Sequence, residues 1–371
     1  MLYKKYIING IIMVLITTEL FGFLIDKTPM CEVFTPQSLH ENIDQMVFIV
    51  GNRKRVSTCS GVAWFHDNNY LATVNFEGGF ICTYRFNKSE KQFIPLQIIH
   101  DSNDAKLVGA DNIAVSDDGT LLAVSINRSQ QVNVYSMNTE THLIDPVPMA
   151  IVKHKDPAVH GVRFSHDNNY VVCTTIRGAN SVTIYKLEKD KETKKVNLTL
   201  VSNLKNRFKI LKPKSLDFTQ DDNYVAVVYA TNVTTVKNLV TGVVAIYKFD
   251  KNTGIIEEKP ISIYRNNREF VGGEDINFSP DDSCIFISEH ARDRILVHEF
   301  DKIHGKIGKR IAELKNPEAK LSFPHGIKIS SDGKYLAVAN YGDDKCSIYG
   351  VDFLAGGSTL NLDDLSQLPS Q

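Results

Sequence analysis

Two histidines, three carboxylates, a lysine and an asparagine fall at equivalent places in a repeating pattern. Six times in the 371-residue chain a turn aspartate recurs: Asp67, Asp118, Asp167, Asp221, Asp281 and Asp332. Seven residues before each stands Ser60, Asp111, His160, Lys214, Glu274 or His325, and the next position reads Gly61, Asn112, Gly161, Ser215, Asp275 and Gly326. Such a set offers three kinds of chemistry. A histidine can take a proton from water while neighbouring donors stabilise an oxyanion. The oxygens of Asp111, Asn112, Glu274 and Asp275 suit calcium or magnesium, whereas His160 and His325 favour a transition metal. The mixture forms no clean coordination set, so no metal is assigned. No cofactor is expected beyond such a divalent ion. Third, the same groups, solvated at a channel mouth, can bind a protein, peptide or small ligand.

The elements that must position these residues repeat with them. The turn aspartates are 51, 49, 54, 60 and 51 residues apart. Three residues before each is an apolar anchor (Trp64, Val115, Phe164, Phe218, Phe278, Ile329), and two before that is another. This period of two marks a strand with one buried side. Turns such as HDNNY, DDGTL and SDGKY follow, using residues that tolerate turn dihedrals and hydrogen-bond to nearby backbone. A second strand opens three residues after the aspartate, as in YLAVAN, and a third ends near Tyr84, Tyr135, Tyr185, Tyr247, His298 or Tyr349. More polar outer strands are expected at Phe93–Ile99, Val196–Val201 and Ile261–Tyr264. Only the fourth copy breaks step, through an insertion at Ala230–Gly242 between its second and third strands.

Four strands per unit without a helical period predict an all-β fold, a β-propeller of six four-stranded blades over residues 45–355. The innermost strands would surround an axial channel. The last copy has only a weak candidate, Ser358–Leu362, for its fourth strand. The run Gln45–Gly51 is therefore expected to close the ring as an N-terminal strand. A seventh blade remains open if residues 26–58 and the C-terminal tail combine. Loops after the second strands would bring Arg177, Glu289, His290, Arg292 and Tyr341 toward the mouth of the channel.

The segments FSPDD, ISSDGKYLAVANYGDD and SVTIYKLE resemble the YVTN-type, lactonase-like β-propeller repeat family over about Gln45 to Phe353. The single tryptophan and the lack of GH…WD pairs set the chain apart from WD repeats. The resemblance implies a propeller, usually of seven blades, and sugar-lactone hydrolysis in some members. It would make His160, Asp275 and Arg292 catalytic. Asp111, Asn112, Lys214, Glu274, His325, Arg177 and His290 would line the ligand mouth. The family often carries an acidic loop where this chain reads TTIRGAN.

Lys and Arg number 42 against 43 Asp and Glu, so no net field favours nucleic acid. The six cysteines form no CxxC pair, which excludes a zinc knuckle or thioredoxin-like motif. Residues 1–25, two lysines before an apolar run, are expected to be a signal peptide or membrane anchor, giving a secreted or anchored protein. A start at Met30 would give a cytoplasmic one. Residues 26–44 read as a linker and 356–371 as a polar tail. The sequence alone favours a monomeric binding or interaction module, with a protein or small-molecule ligand at the propeller face and a membrane engaged only through the N-terminal segment. The alternative is a lactonase-like hydrolase acting at the axial mouth.

Overall fold

The computed structural model describes residues 58–353 apart from 180, 191, 193–194, 209, 232–241, 267–269 and 318. It also describes short N-terminal strands at Ile7–Ile8, Ile11–Ile12, Phe23–Ile25, Cys31–Phe34, Ile49–Val50 and Arg53–Lys54. The chain folds into six antiparallel sheets around one axis. It is an all-β, six-bladed propeller. The inner strands are Cys59–Phe65, Ala110–Val115, Val159–Phe164, Lys212–Phe218, Gly273–Phe278 and Pro324–Ile329. Outer strands appear where expected, at Gln92–His100, Val196–Lys205 and Ser262–Tyr264. The blade-four insertion falls between strands Tyr224–Ala230 and Gly242–Asp250, and its central part lies outside the described residues.

Each blade buries one face against the next, so the core is divided into six clusters, each shared by two adjacent blades. The aromatic column of the third strands belongs to this core: Tyr135, His298 and Tyr349 are fully buried. Five cysteines are buried free thiols. Burial pushes those of Cys82 and Cys173 up to about 12, which leaves them as small apolar residues rather than nucleophiles.

The ring closes on an N-terminal strand, but not the expected one. Cys31–Phe34 pairs antiparallel with the third strand of blade six, Lys345–Phe353, whose far end also pairs with Phe23–Ile25. Ile49–Val50, from the run Gln45–Gly51, instead forms a small hairpin with Arg53–Lys54. The correction has a physical reason. Many short apolar runs can serve as an edge strand, and register against the existing edge selects among them. With Cys31–Phe34 in blade six, no seventh blade forms among the described residues; Ser358–Leu362 lies outside them. The predicted signal or anchor segment lies outside the described residues except for its short strands. Among the described residues no helix is long and apolar enough to cross a membrane.

The turns knit neighbouring blades together. In five blades a Ser or Thr hydroxyl donates to the turn aspartate two residues on, as from Ser116 to Asp118 at 2.6 Å. The residue after the aspartate adopts a left-handed conformation at Asn68, Asn168, Asp222 and Asp282. Its side chain accepts from the backbone of an adjacent blade: Asp117 N to Asn168, His166 N to Asp222, Gln220 N to Asp282 and Ser331 N to Asn68. Asparagine makes this bond without charge. Burial pushes the Asp282 carboxyl up to about 6 from its ordinary 3.8. The folded state therefore binds more protons between those values, and stability falls as pH rises through them. Asp282→Asn should raise unfolding stability at pH 7 by about 1–2 kcal/mol and leave it unchanged below pH 4. Urea unfolding at both pH values checks this; equal effects at the two would refute it.

Candidate axial site

A β-bulge interrupts the inner strand of all six blades, at Cys59/Gly61, Ala110/Asn112, Val159/Val162, Pro213/Ser215, Gly273/Ile276 and Pro324/Ile327. A bulge re-aims side chains that regular pleating would alternate. Here it brings the residues seven before each turn aspartate together on the axis. His160 Nε2 lies 3.6 Å from Asp111 Oδ1 and 3.4 Å from Glu274 Oε2. His325 Nε2 lies 3.6 Å and 3.9 Å from the same two atoms. Lys214 Nζ donates to Glu274 Oε1 at 3.0 Å. All five side chains are buried, with Asp111 3% and His325 6% exposed.

The backbone fixes both imidazoles. His160 Nδ1 is 2.9 Å from the Lys214 carbonyl and His325 Nδ1 is 2.9 Å from the Ser60 carbonyl. A carbonyl only accepts, so each Nδ1 carries hydrogen and a neutral ring keeps its lone pair on Nε2, facing the axis. Burial, aided by the Lys214 ammonium, holds His160 well below the usual imidazole range. Burial alone would raise Glu274, but Lys214 and His290 outweigh it and hold the carboxylate well below its ordinary range. Asp111 has no such direct cation, and burial pushes it up to about 7. Two buried oxygens that face the histidines, Asp111 Oδ1 and Glu274 Oε2, have no hydrogen-bond partner.

A second layer lies one step along the same strands. Arg163, 4% exposed, donates to Asn112 Oδ1 at 2.8 Å and to both oxygens of Asp275 at 2.7 and 2.9 Å. Its Nε is 3.5 Å from Asp217. Burial opposes the guanidinium charge, but Asp275 and Asp217 outweigh it. Asp275 also accepts from Ile276 N and Ile327 N, each at 2.9 Å. Both its oxygens are thus committed to holding three inner strands together. Beyond Arg163 the axis opens, at the turn end, into a cavity of about 1090 Å³ lined by Asp217, His166, Lys328 and the blade turns.

The residue nine after the turn aspartate covers the opposite side of the cluster. Asn127 donates to Asp111 Oδ2 at 3.0 Å. His290 Nδ1 lies 2.9 Å from Glu274 Oε1, off the hydrogen-bonding direction. Tyr341 stacks on His325 with ring centroids 5.4 Å apart. Phe323 joins this wall between Tyr341 and His290. Of the ten residues given catalytic or mouth-lining roles from sequence, Asp111, His160, Lys214, Glu274, His290 and His325 share one cluster. Asn112 and Asp275 sit in the adjacent arginine layer. Arg177 and Arg292 are exposed on loops, outside the buried cluster. Sequence reasoning missed Asn127 and Arg163. Aligning the copies at nine after and four before the aspartate would have found them.

The fold is thus a six-bladed propeller with a buried polar cluster on its axis. The sequence profile described as Lactonase, 7-bladed beta-propeller matches residues 62–259 and 236–366, most of the chain, and the protein belongs to that family. The two matched segments overlap within blade four. Solved structures agree on the fold. A candidate 6-phosphogluconolactonase of Bacteroides fragilis is 17% identical, with 81% of this chain and 82% of that one covered and a TM-score of 0.57. Its counterpart from Bacteroides uniformis is 14% identical over 80% and 82%, with a TM-score of 0.55. Hydrazine synthase of Kuenenia stuttgartiensis is 16% identical over 80% and 84%, with a TM-score of 0.53. No curated protein is significantly similar in sequence.

Proposed function

We propose that this propeller hydrolyses a cyclic ester, a sugar lactone, at the axial cluster. Sequence alone favoured an interaction module; family membership and the convergence of the cluster favour the hydrolase. The observation that carries the reading is His160, whose Nδ1 is tied to the Lys214 carbonyl and whose Nε2 faces the axis. In this scheme Nε2 takes a proton from water as the water oxygen bonds to the lactone carbonyl carbon. The Lys214 ammonium stabilises the oxyanion that forms. The ring C–O bond then breaks, and the proton passes from Nε2 to the leaving alkoxide, giving the open hydroxy acid. The aromatic wall of Tyr341 and Phe323 offers an apolar face to the sugar ring. Asp275 serves as a strut rather than a base, because its oxygens are taken.

The test is turnover on a panel of aldonolactones, including gluconolactone and its 6-phosphate, the substrate class named for the Bacteroides proteins. Acid release should be enzyme-dependent, and His160→Gln should lower kcat/KM by about 10²–10⁴-fold with the circular dichroism unchanged. No turnover across the panel, or an active His160→Gln, would overturn the reading.

A further inference from the structure

We propose that Asp111, His160 and His325 hold a divalent first-row transition-metal ion on the propeller axis, with the Glu274 carboxylate beside them adding negative charge. The site is that of the hydrolase reading and rests on the same cluster, but ion binding stands or falls without turnover.

Distances carry the argument. The ligand atoms of Asp111, His160 and His325 lie within 4.8 Å of one another. The histidine-to-carboxylate separations are 3.4, 3.6, 3.6 and 3.9 Å. These are too long for charge-assisted hydrogen bonds, which fall at about 2.7–2.9 Å. The two separations from Asp111 Oδ1, 3.6 Å each, are close to the edge of a tetrahedron around an ion with bonds of about 2.0–2.1 Å, for which neighbouring donors stand roughly 3.4 Å apart. With Nδ1 donating to a backbone carbonyl, a neutral imidazole presents Nε2 as an acceptor toward the axis, and Asp111 Oδ1 and Glu274 Oε2 are buried there without a hydrogen-bond partner. Three buried ligand atoms gathered on one point, at separations too long for hydrogen bonds, suit a cation between them.

The outer contacts have the form that metal ligands need. Each histidine commits its Nδ1 hydrogen to a carbonyl of the neighbouring blade, Lys214 or Ser60. Asp111 commits Oδ2 to Asn127, and Glu274 commits Oε1 to Lys214. Every ligand therefore has one atom anchored and one turned to the centre. Two nitrogens and one carboxylate oxygen select zinc, manganese or iron over calcium and magnesium, which want six or more oxygens. An ion there would acidify a bound water, the service that His160 would otherwise give as a base.

The experiment is calorimetric titration of the chelator-treated full chain with Zn²⁺, Mn²⁺, Mg²⁺ and Ca²⁺. Lactone turnover is followed in the same samples. One Zn²⁺ or Mn²⁺ per chain is expected, and His325→Ala or the nearly isosteric Asp111→Asn should weaken binding at least ~100-fold. Asp111→Asn keeps an oxygen for Asn127, so it separates lost ligation from lost folding, and thermal melting of the metal-free variants monitors the latter. Absence of stoichiometric binding, binding unchanged in both variants, or Mg²⁺ and Ca²⁺ binding as tightly as Zn²⁺ would each overturn the ion site. Binding without turnover upholds the ion and sinks the hydrolase; turnover without binding does the reverse.

Discussion

Replacing Arg163 with methionine should destabilise the propeller by about 3–5 kcal/mol, the cost of stranding buried carboxylates by removing their cation. Arg163 reaches Asn112 in blade two, Asp275 in blade five and Asp217 in blade four. It thus ties blade three to both its neighbours and, across the axis, to blade five. Without it, Asp275 at 1% exposure keeps only backbone donors for its charge, and Asp217 at 4% keeps the Asn277 amide, Phe278 N and the Lys328 ammonium at 3.8 Å. Adding Asp275→Asn removes one stranded charge while an amide oxygen still accepts from Ile327 N. The double variant should recover about 1–3 kcal/mol of the loss. Urea unfolding of the wild type, both single variants and the double closes the cycle. A single-variant loss under about 1 kcal/mol, or strictly additive losses, would show that the arginine layer is not held by charge.

The blades were legible because the repeat encodes them locally. A turn aspartate with apolar residues at fixed offsets marks one hairpin, and six such hairpins cannot each bury a face alone. The cluster was legible for the same reason: a fixed offset in a ring of equivalent strands lands every residue at one height on the axis. Counting gave His160, Glu274 and His325 one address, and the structure brings them within a few ångströms. The bulge was not legible. It depends on how inner strands crowd at the axis, and it puts Asp275 and Asn112 in a separate layer from Glu274 and Asp111. Arg163 was hidden in the run VHGVRF, where alternation reads as a solvent-facing polar residue; only the ring turns that face inward. The closing strand was obscured because its partner lies at the other end of the chain. Arg292, matched by resemblance, lies on an exposed 3-10 turn that begins at the buried His290; two residues of loop separate a cluster position from a surface one.

Closure itself yields the second large effect. Gly326 faces blade one so closely that an added Cβ would stand 2.7 Å from the Ser60 carbonyl oxygen and 2.8 Å from Gly61 Cα. Both are backbone atoms, so a side-chain shift cannot relieve the clash and the inner strands must part. Gly161 meets the same limit between blades three and four, with Ser215 Cα at 2.8 Å and the Lys214 oxygen at 2.9 Å. Alanine at either position should cost about 1–3 kcal/mol as overpacking, and the response should differ. Blades three and four follow one another in the chain, so strain at Gly161 stays local. Blades six and one lie at opposite ends of the repeat, and the N-terminal strand Cys31–Phe34 joins blade six by antiparallel pairing with Lys345–Phe353. Gly326→Ala should therefore speed amide exchange across Cys59–Phe65 and Pro324–Ile329 well before global unfolding, while Gly161→Ala should not. The same parting moves the Ser60 carbonyl from His325 Nδ1, so Gly326→Ala should also weaken any axial ligand that needs His325 oriented. Equal exchange in the two variants would mean that the seam is no weaker than the joints within the chain. Closure would then rest on the whole inner ring of bulges rather than on the borrowed outer strand.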